Sequence, residues 1–230
     1  MYPLYFDNTM IILIPAMILT MYAQGKINSA YSKFSRIRTT RGYTGMQTAR
    51  EILDKNGLNN VQIELVAGKL SDHYDPRTKV LRLSNDVYYG NTIAANSIAA
   101  HEVGHALQHA NAYVPLKVRN SLVPVVNLAS NLAWVFIAAG MFIAAMPALF
   151  NIGVIMFSAS VLFQLITLPV ELNASSKAIK LLAEMGILSP SEIPQGRRML
   201  NAAALTYIAA AAAAISQLMR LIAIRDRNRR

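Results

Sequence analysis

His101-Glu102-Val103-Gly104-His105 places two imidazoles four residues apart, with a carboxylate directly after the first. On a helix such a pair lies one above the other on the same face, so both can reach one ion at about 2.0 to 2.1 Å. Glu102 is turned about 100° from His101, an awkward angle for a third ligand but a good one for taking a proton from a water at the metal. The pattern implies zinc-assisted peptide hydrolysis with one Zn2+ per chain. The bland alternative is a surface helix with two incidental histidines.

The chemistry needs a helix, and the flanks favour one. Ile98, Ala99, Ala100, Ala106 and Leu107 are helix-compatible, no proline interrupts Ser97 to His109, and Gly104 is small enough for another backbone or a substrate to pass close. A catalytic zinc site also wants a third protein ligand. Glu171, the one acidic residue between Glu102 and Glu184, is the best candidate. His109 sits about 12 Å along the helix from His101, and His73 stands in an expected turn, so both remain as competitors. A histidine six residues after His105 would serve instead, but that position is Asn111.

Composition decides where such a site resides. The 230 residues are 54% hydrophobic and 15% charged, below the roughly 25% charge of soluble domains, so a membrane protein is expected. Cysteine is absent, which excludes disulfides and thiolate zinc sites. The net charge of +10 follows from membrane contacts and topology, and nucleic acid is not invoked.

In chain order, residues 1–25 form a first transmembrane helix, drawn from Pro3 to Ala23 and kinked at Pro15, followed by basic Lys26, Lys33, Arg36, Arg38 and Arg41. Residues 26–120 form an α+β catalytic region. Thr44 is an expected N-cap and Gly57 a stop, and two strands are expected around Val61 to Val66 and Val80 to Leu83. Thr78, Lys79, Val80, Leu81, Arg82, Leu83 and Ser84 are the candidate edge strand for binding extended substrate, with an ordinary sheet edge as the alternative. Residues 121–170 lack Asp, Glu, Lys, Arg and His and predict a transmembrane hairpin that turns near Gly140, Pro147, Asn151 and Gly153. Residues 171–200 carry the third-ligand helix and a loop. Residues 201–230 form an alanine-rich membrane-crossing or membrane-packed helix with a basic tail.

Ser71-Asp72-His73-Tyr74-Asp75-Pro76, Arg82-Leu83-Ser84, Ser97 to Ala110 and Leu168 to Ser175 together resemble the YugP-like family of membrane neutral zinc metallopeptidases over nearly the whole chain. The resemblance implies a multi-pass peptidase of the prokaryotic plasma membrane. More distantly, Glu171-Leu172-Asn173-Ala174-Ser175 is similar to the Glu-x-x-Ala-Asp of HtpX-like heat-shock proteases. Ser175 stands where those enzymes carry Asp, which leaves open what orients a ligand histidine.

The fold class expected is a mainly α, multi-pass membrane protein with a small α+β zincin-like catalytic domain at the membrane surface. His101, His105 and Glu171 would hold zinc, and Glu102 would be the general base. His73, Tyr74, His109 and Ser175 are candidates for oxyanion donation or ligand support. Lys and Arg near the spans put the active site on the cytoplasmic face, although Arg225, Arg227, Arg229 and Arg230 oppose this if the last helix crosses. Expected partners are a peptide or membrane-protein substrate, the lipid bilayer, and a membrane-protein partner or homo-oligomer. Competing readings are a non-catalytic metal-binding scaffold or quality-control adaptor and a site-2-type intramembrane protease.

Overall fold

Apolar runs of about 20 residues cross a bilayer as helices because a helix satisfies every backbone group within its own segment. The computed structural model describes residues 8–143 and 146–227, and four of its helical stretches are long and apolar enough to cross: Asn8–Phe34, Val114–Phe142, Ala148–Glu184 and Ile193–Arg227. The chain also holds a three-stranded sheet and is a mainly α membrane protein with a small α+β part. Pro3 to Asp7 of the first apolar run, and Arg229 and Arg230, lie outside the described residues.

The first stretch starts as a 3-10 segment, Asn8–Leu13, and continues as α1, Ile14–Phe34. Pro15 therefore falls in the first turn of α1, directly after the change from 3-10 to α geometry. The hairpin consists of α5, Val114–Phe142, and α6, Pro147–Glu184. α5 ends at Phe142 and α6 starts at Pro147, whereas Gly140, Asn151 and Gly153 sit inside the helices. The glycines serve packing instead: a Cβ on Gly140 would lie 2.6 Å from that of Phe150, and one on Gly153 2.6 Å from Ile137 Cγ1. The expected hairpin arm and third-ligand helix are one helix that runs through Pro169.

The chain forms two compact units. One comprises the start of the chain to Ala23, Val118–Leu168 and Thr206 onward. Its core joins Ala133 and Ile137 of α5, Phe150, Val154, Phe157 and Val161 of α6, and Leu221 and Ile224 of α7, Ile193–Arg227. Arg220 Nε also donates to Thr9 Oγ1 at 3.4 Å, so the end of α7 lies beside the start of the 3-10 segment.

The other unit comprises Gln24–Lys117 and Pro169–Leu205. Helix α2, Gly45–Lys55, starts with a reciprocal cap in which Thr44 Oγ1 accepts from Gln47 N–H and Gln47 Oε1 accepts from Thr44 N–H. It ends at Asn56, and Gly57 takes a left-handed φ of 73°. The sheet has three strands rather than two: β1, Gln62–Val66; β2, His73–Asp75; and β3, Val80–Ser84, in the order β1-β3-β2. β1 runs parallel to β3 and β2 antiparallel to it. The expectation of an edge strand over Thr78 to Ser84 is thereby corrected. Thr78 and Lys79 lie in the turn after β2, and Val80, Leu81, Arg82, Leu83 and Ser84 form the central strand, whose two edges are already paired.

After the four-residue α3, Asn85–Tyr88, comes α4, Ile93–Ala110, which Thr92 caps by accepting from Ala95 N–H at 3.2 Å. Buried Asn96 ties α4 to its surroundings by donating to Thr92 O, Tyr43 O and Thr39 Oγ1 and accepting from Thr48 Oγ1. Around α4 the core collects Ile52 and Leu53 of α2, Leu81 and Leu83 of β3, Leu182 of α6 and Met199 of α7.

Candidate metal centre

α4 is alanine-rich, and every residue from Ile93 to Gln108 is buried, the polar ones included. It can be buried that deeply because a second helix approaches without a side chain in between. A Cβ on Gly104 would lie 2.8 Å from Ala174 O and 3.1 Å from Ala174 Cα, closer than real packing allows. That contact between α4 and α6 sets Glu171, one turn before Ala174, against the histidine pair.

His101 Nε2 lies 3.3 Å from Glu171 Oε2, and His105 Nε2 lies 3.5 Å from the same oxygen. All three ligand atoms fall within 4.8 Å of one another. Ligands about 2.0 to 2.1 Å from a tetrahedral zinc stand about 3.3 to 3.4 Å apart, so the donor set fits this ion in both type and spacing. Each imidazole is also fixed at its far nitrogen. Ser175 Oγ lies 3.0 Å from His101 Nδ1, and Gln108 Oε1 lies 3.0 Å from His105 Nδ1. With Nδ1–H donating to Gln108, His105 Nε2 keeps a free lone pair towards Glu171. Gln108 is itself anchored, its Nε2 donating to Val170 O at 2.8 Å and Asn173 Oδ1 at 3.0 Å.

Burial pushes the Glu102 carboxyl up, the two imidazoles pull it part of the way back, and the charges of Glu171 and Asp72 push it up again. For His105 burial pulls downward, but the hydrogen bond to Glu171 and the nearby carboxylates outweigh it and leave the imidazole above its ordinary range.

Among the described residues, His73 and His109 stand outside the three-ligand cluster. His73 is exposed, with Nδ1 2.8 Å from Ser71 O. His109 Nδ1 lies 2.9 Å from the Tyr74 hydroxyl, linking β2 to the end of α4. The other side chains of the expected substrate strand are spent on the sheet. Arg82 pairs with Glu64 at 3.1 Å and Asp75 at 3.6 Å, and Ser84 donates to Asp72 through N–H at 2.7 Å and Oγ at 3.0 Å. Gln108 was missed in the sequence, although its position, i+3 from a ligand histidine on the same helix face, was a usable signal.

Over residues 9–226 the chain matches the family described as "Putative neutral zinc metallopeptidase". It belongs to that family. Among curated proteins this member of the zinc metallopeptidase family is 47% identical over 219 residues to "Putative membrane protease YugP" of Bacillus subtilis (strain 168), covering 94% of this chain and 97% of the relative. No solved structure matches it. Family and relative both support a protease, and the four apolar helices make it a membrane protein.

Proposed function

We propose that the chain is a membrane-embedded zinc-dependent endopeptidase in which His101, His105 and Glu171 hold the ion and Glu102 is the general base. The observation that carries this reading is the convergence of two imidazole Nε2 atoms on one Glu171 oxygen at 3.3 and 3.5 Å, beside a buried Glu102. Zinc bound there would supply Lewis acidity towards a water and the scissile carbonyl. Glu102, its carboxyl raised by burial, accepts the proton of the attacking water and returns it to the leaving amine. Ser175 and Gln108 hold the two rings in the tautomer that leaves Nε2 free.

Tyr74 is the candidate donor to the tetrahedral oxyanion, because its partly buried hydroxyl is held by His109 one turn beyond His105. For extended substrate, the free outer edge of β2 replaces the strand expected from the sequence. The active site faces the cytoplasm in this reading. Lys26, Lys33, Arg36, Arg38, Arg41, Lys117, Arg119, Lys177, Lys180, Arg197 and Arg198 lie near the inner ends of the spans, while the described hairpin tip has no charge.

Zinc content and peptide cleavage, measured on detergent-purified chain, test the reading. The native protein should hold about one zinc, and Glu171→Ala should lose it. Glu102→Gln should keep zinc and lose cleavage by at least about a hundredfold. A Glu102→Gln variant that cuts at the native rate would remove Glu102 from its role, and native protein without zinc would remove the whole assignment.

A further inference from the structure

Helix α5 carries an outward stripe that the protease chemistry does not use. Asn120, Pro124, Asn127, Asn131, Trp134, Ala138 and Met141 follow one another at alternating spacings of four and three, the seam of a left-handed helix pair. All but the half-buried Asn120 are exposed, while Val126, Ala133 and Ile137 on another face are buried. At about 1.5 Å per residue, Asn127 and Asn131 lie about 12 and 18 Å beyond Arg119, well inside a hydrocarbon layer of about 30 Å. Among the described residues, neither amide has a hydrogen-bond partner. Pro124 adds a third unmet group, since without an N–H it leaves the carbonyl of Asn120 without its helical donor. Lipid offers nothing to these groups, so a second helix must.

We infer that this seam pairs with the same seam of a second copy of the chain, Asn127 opposite Asn127 and Asn131 opposite Asn131. Copies inserted the same way are related by a two-fold axis along the membrane normal, which sets parallel helices in register. An asparagine amide both donates and accepts, so each pair closes on itself across that axis. A foreign helix would have to present matching groups at both depths. Buried asparagine at seam positions also specifies register and two-strandedness.

The chain contains no cysteine, so an introduced one is the sole thiol. Full-length chains with Ala138→Cys or Met141→Cys on the seam, and Val125→Cys or Leu132→Cys exposed but off it, would be oxidised in membranes and read as disulfide-linked dimer on a denaturing gel. The seam variants are expected to cross-link and the other two to remain monomeric. Adding Asn127→Leu with Asn131→Leu to Ala138→Cys should lower the dimer fraction roughly three- to tenfold, with the thermal unfolding temperature unchanged. Equal cross-linking on and off the seam, no dimer at Ala138 and Met141, or a linked species with the mass of a different protein would each overturn the inference.

Discussion

Ser175 is the residue whose part the sequence raised and left open. Its hydroxyl lies 3.0 Å from His101 Nδ1, at the nitrogen turned away from Glu171. The hydroxyl is uncharged, so it can orient the ring without placing a negative charge behind it. His101, Glu102, His105 and Glu171 were legible because their residue types and separations admit few other uses. Gln108 was not, since a glutamine announces no chemistry until its neighbours are known. Loss of either orienting partner should weaken zinc binding without emptying the ligand set. Ser175→Ala and Gln108→Leu are expected to lower affinity about 10- to 100-fold in competition with a chelator. Native affinity in both would show that the rings are held by packing alone.

At the scale of elements, the site depends on how closely α4 and α6 approach. A methyl at residue 104 would meet the backbone of Ala174, which cannot turn aside as a side chain can. Gly104→Ala should therefore push the helices apart and cost about 1 to 3 kcal/mol in thermal unfolding, with zinc affinity falling as Glu171 withdraws. A fully stable, metal-loaded variant would refute this. The loop before α7 depends on Glu192, buried at 6% exposure, which accepts from Thr40 N–H at 2.7 Å, Thr40 Oγ1 at 2.9 Å and Ser189 N–H at 2.7 Å. Burial alone would raise its carboxyl, but these donors outweigh burial and hold it below the ordinary range. Such a group stabilises the fold fully above its unfolded value, near about 4.3, and that contribution is lost as pH falls through the lower folded value. Glu192→Gln should cost about 1 to 2 kcal/mol at pH 7, and the gap from the native protein should close in acid. A gap independent of pH would rule the ionised carboxylate out. Sequence periodicity found the helices and two of the strands. It missed β2 because three residues inside a turn-rich link show no alternation, and so it mistook the central strand for an edge.

For the whole molecule, composition was enough to reveal four membrane helices, since bilayer thickness dictates their length. It did not reveal where they bend, because glycine marks both turns and close packing, and here Gly140 and Gly153 do the second. The last helix is long and apolar enough to cross, and the contact between Arg220 and Thr9 brings its end beside the start of the 3-10 segment. In the proposed cytoplasmic orientation the basic residues near the earlier spans would carry the topology, with the late arginines set against the rule. Metal should matter to global stability as well. With zinc at about a hundredfold over its dissociation constant, binding adds about 2.7 kcal/mol, so a chelator should lower the unfolding temperature of the native chain and of Glu102→Gln, but not of Glu171→Ala. A native melting curve indifferent to chelator would contradict this.

His101 and Glu171 are separated by 70 residues of sequence, and the uncharged hairpin lies between them. A chain emerging from the ribosome makes both histidines and Glu102, the proposed general base, before it makes Glu171, the proposed third ligand. Until α6 is synthesised and inserted, it holds two donors of the three and cannot retain zinc firmly. On the proposed reading, the order of synthesis would keep the nascent polypeptide harmless to its neighbours and to itself, with proteolytic competence arriving only with completed insertion.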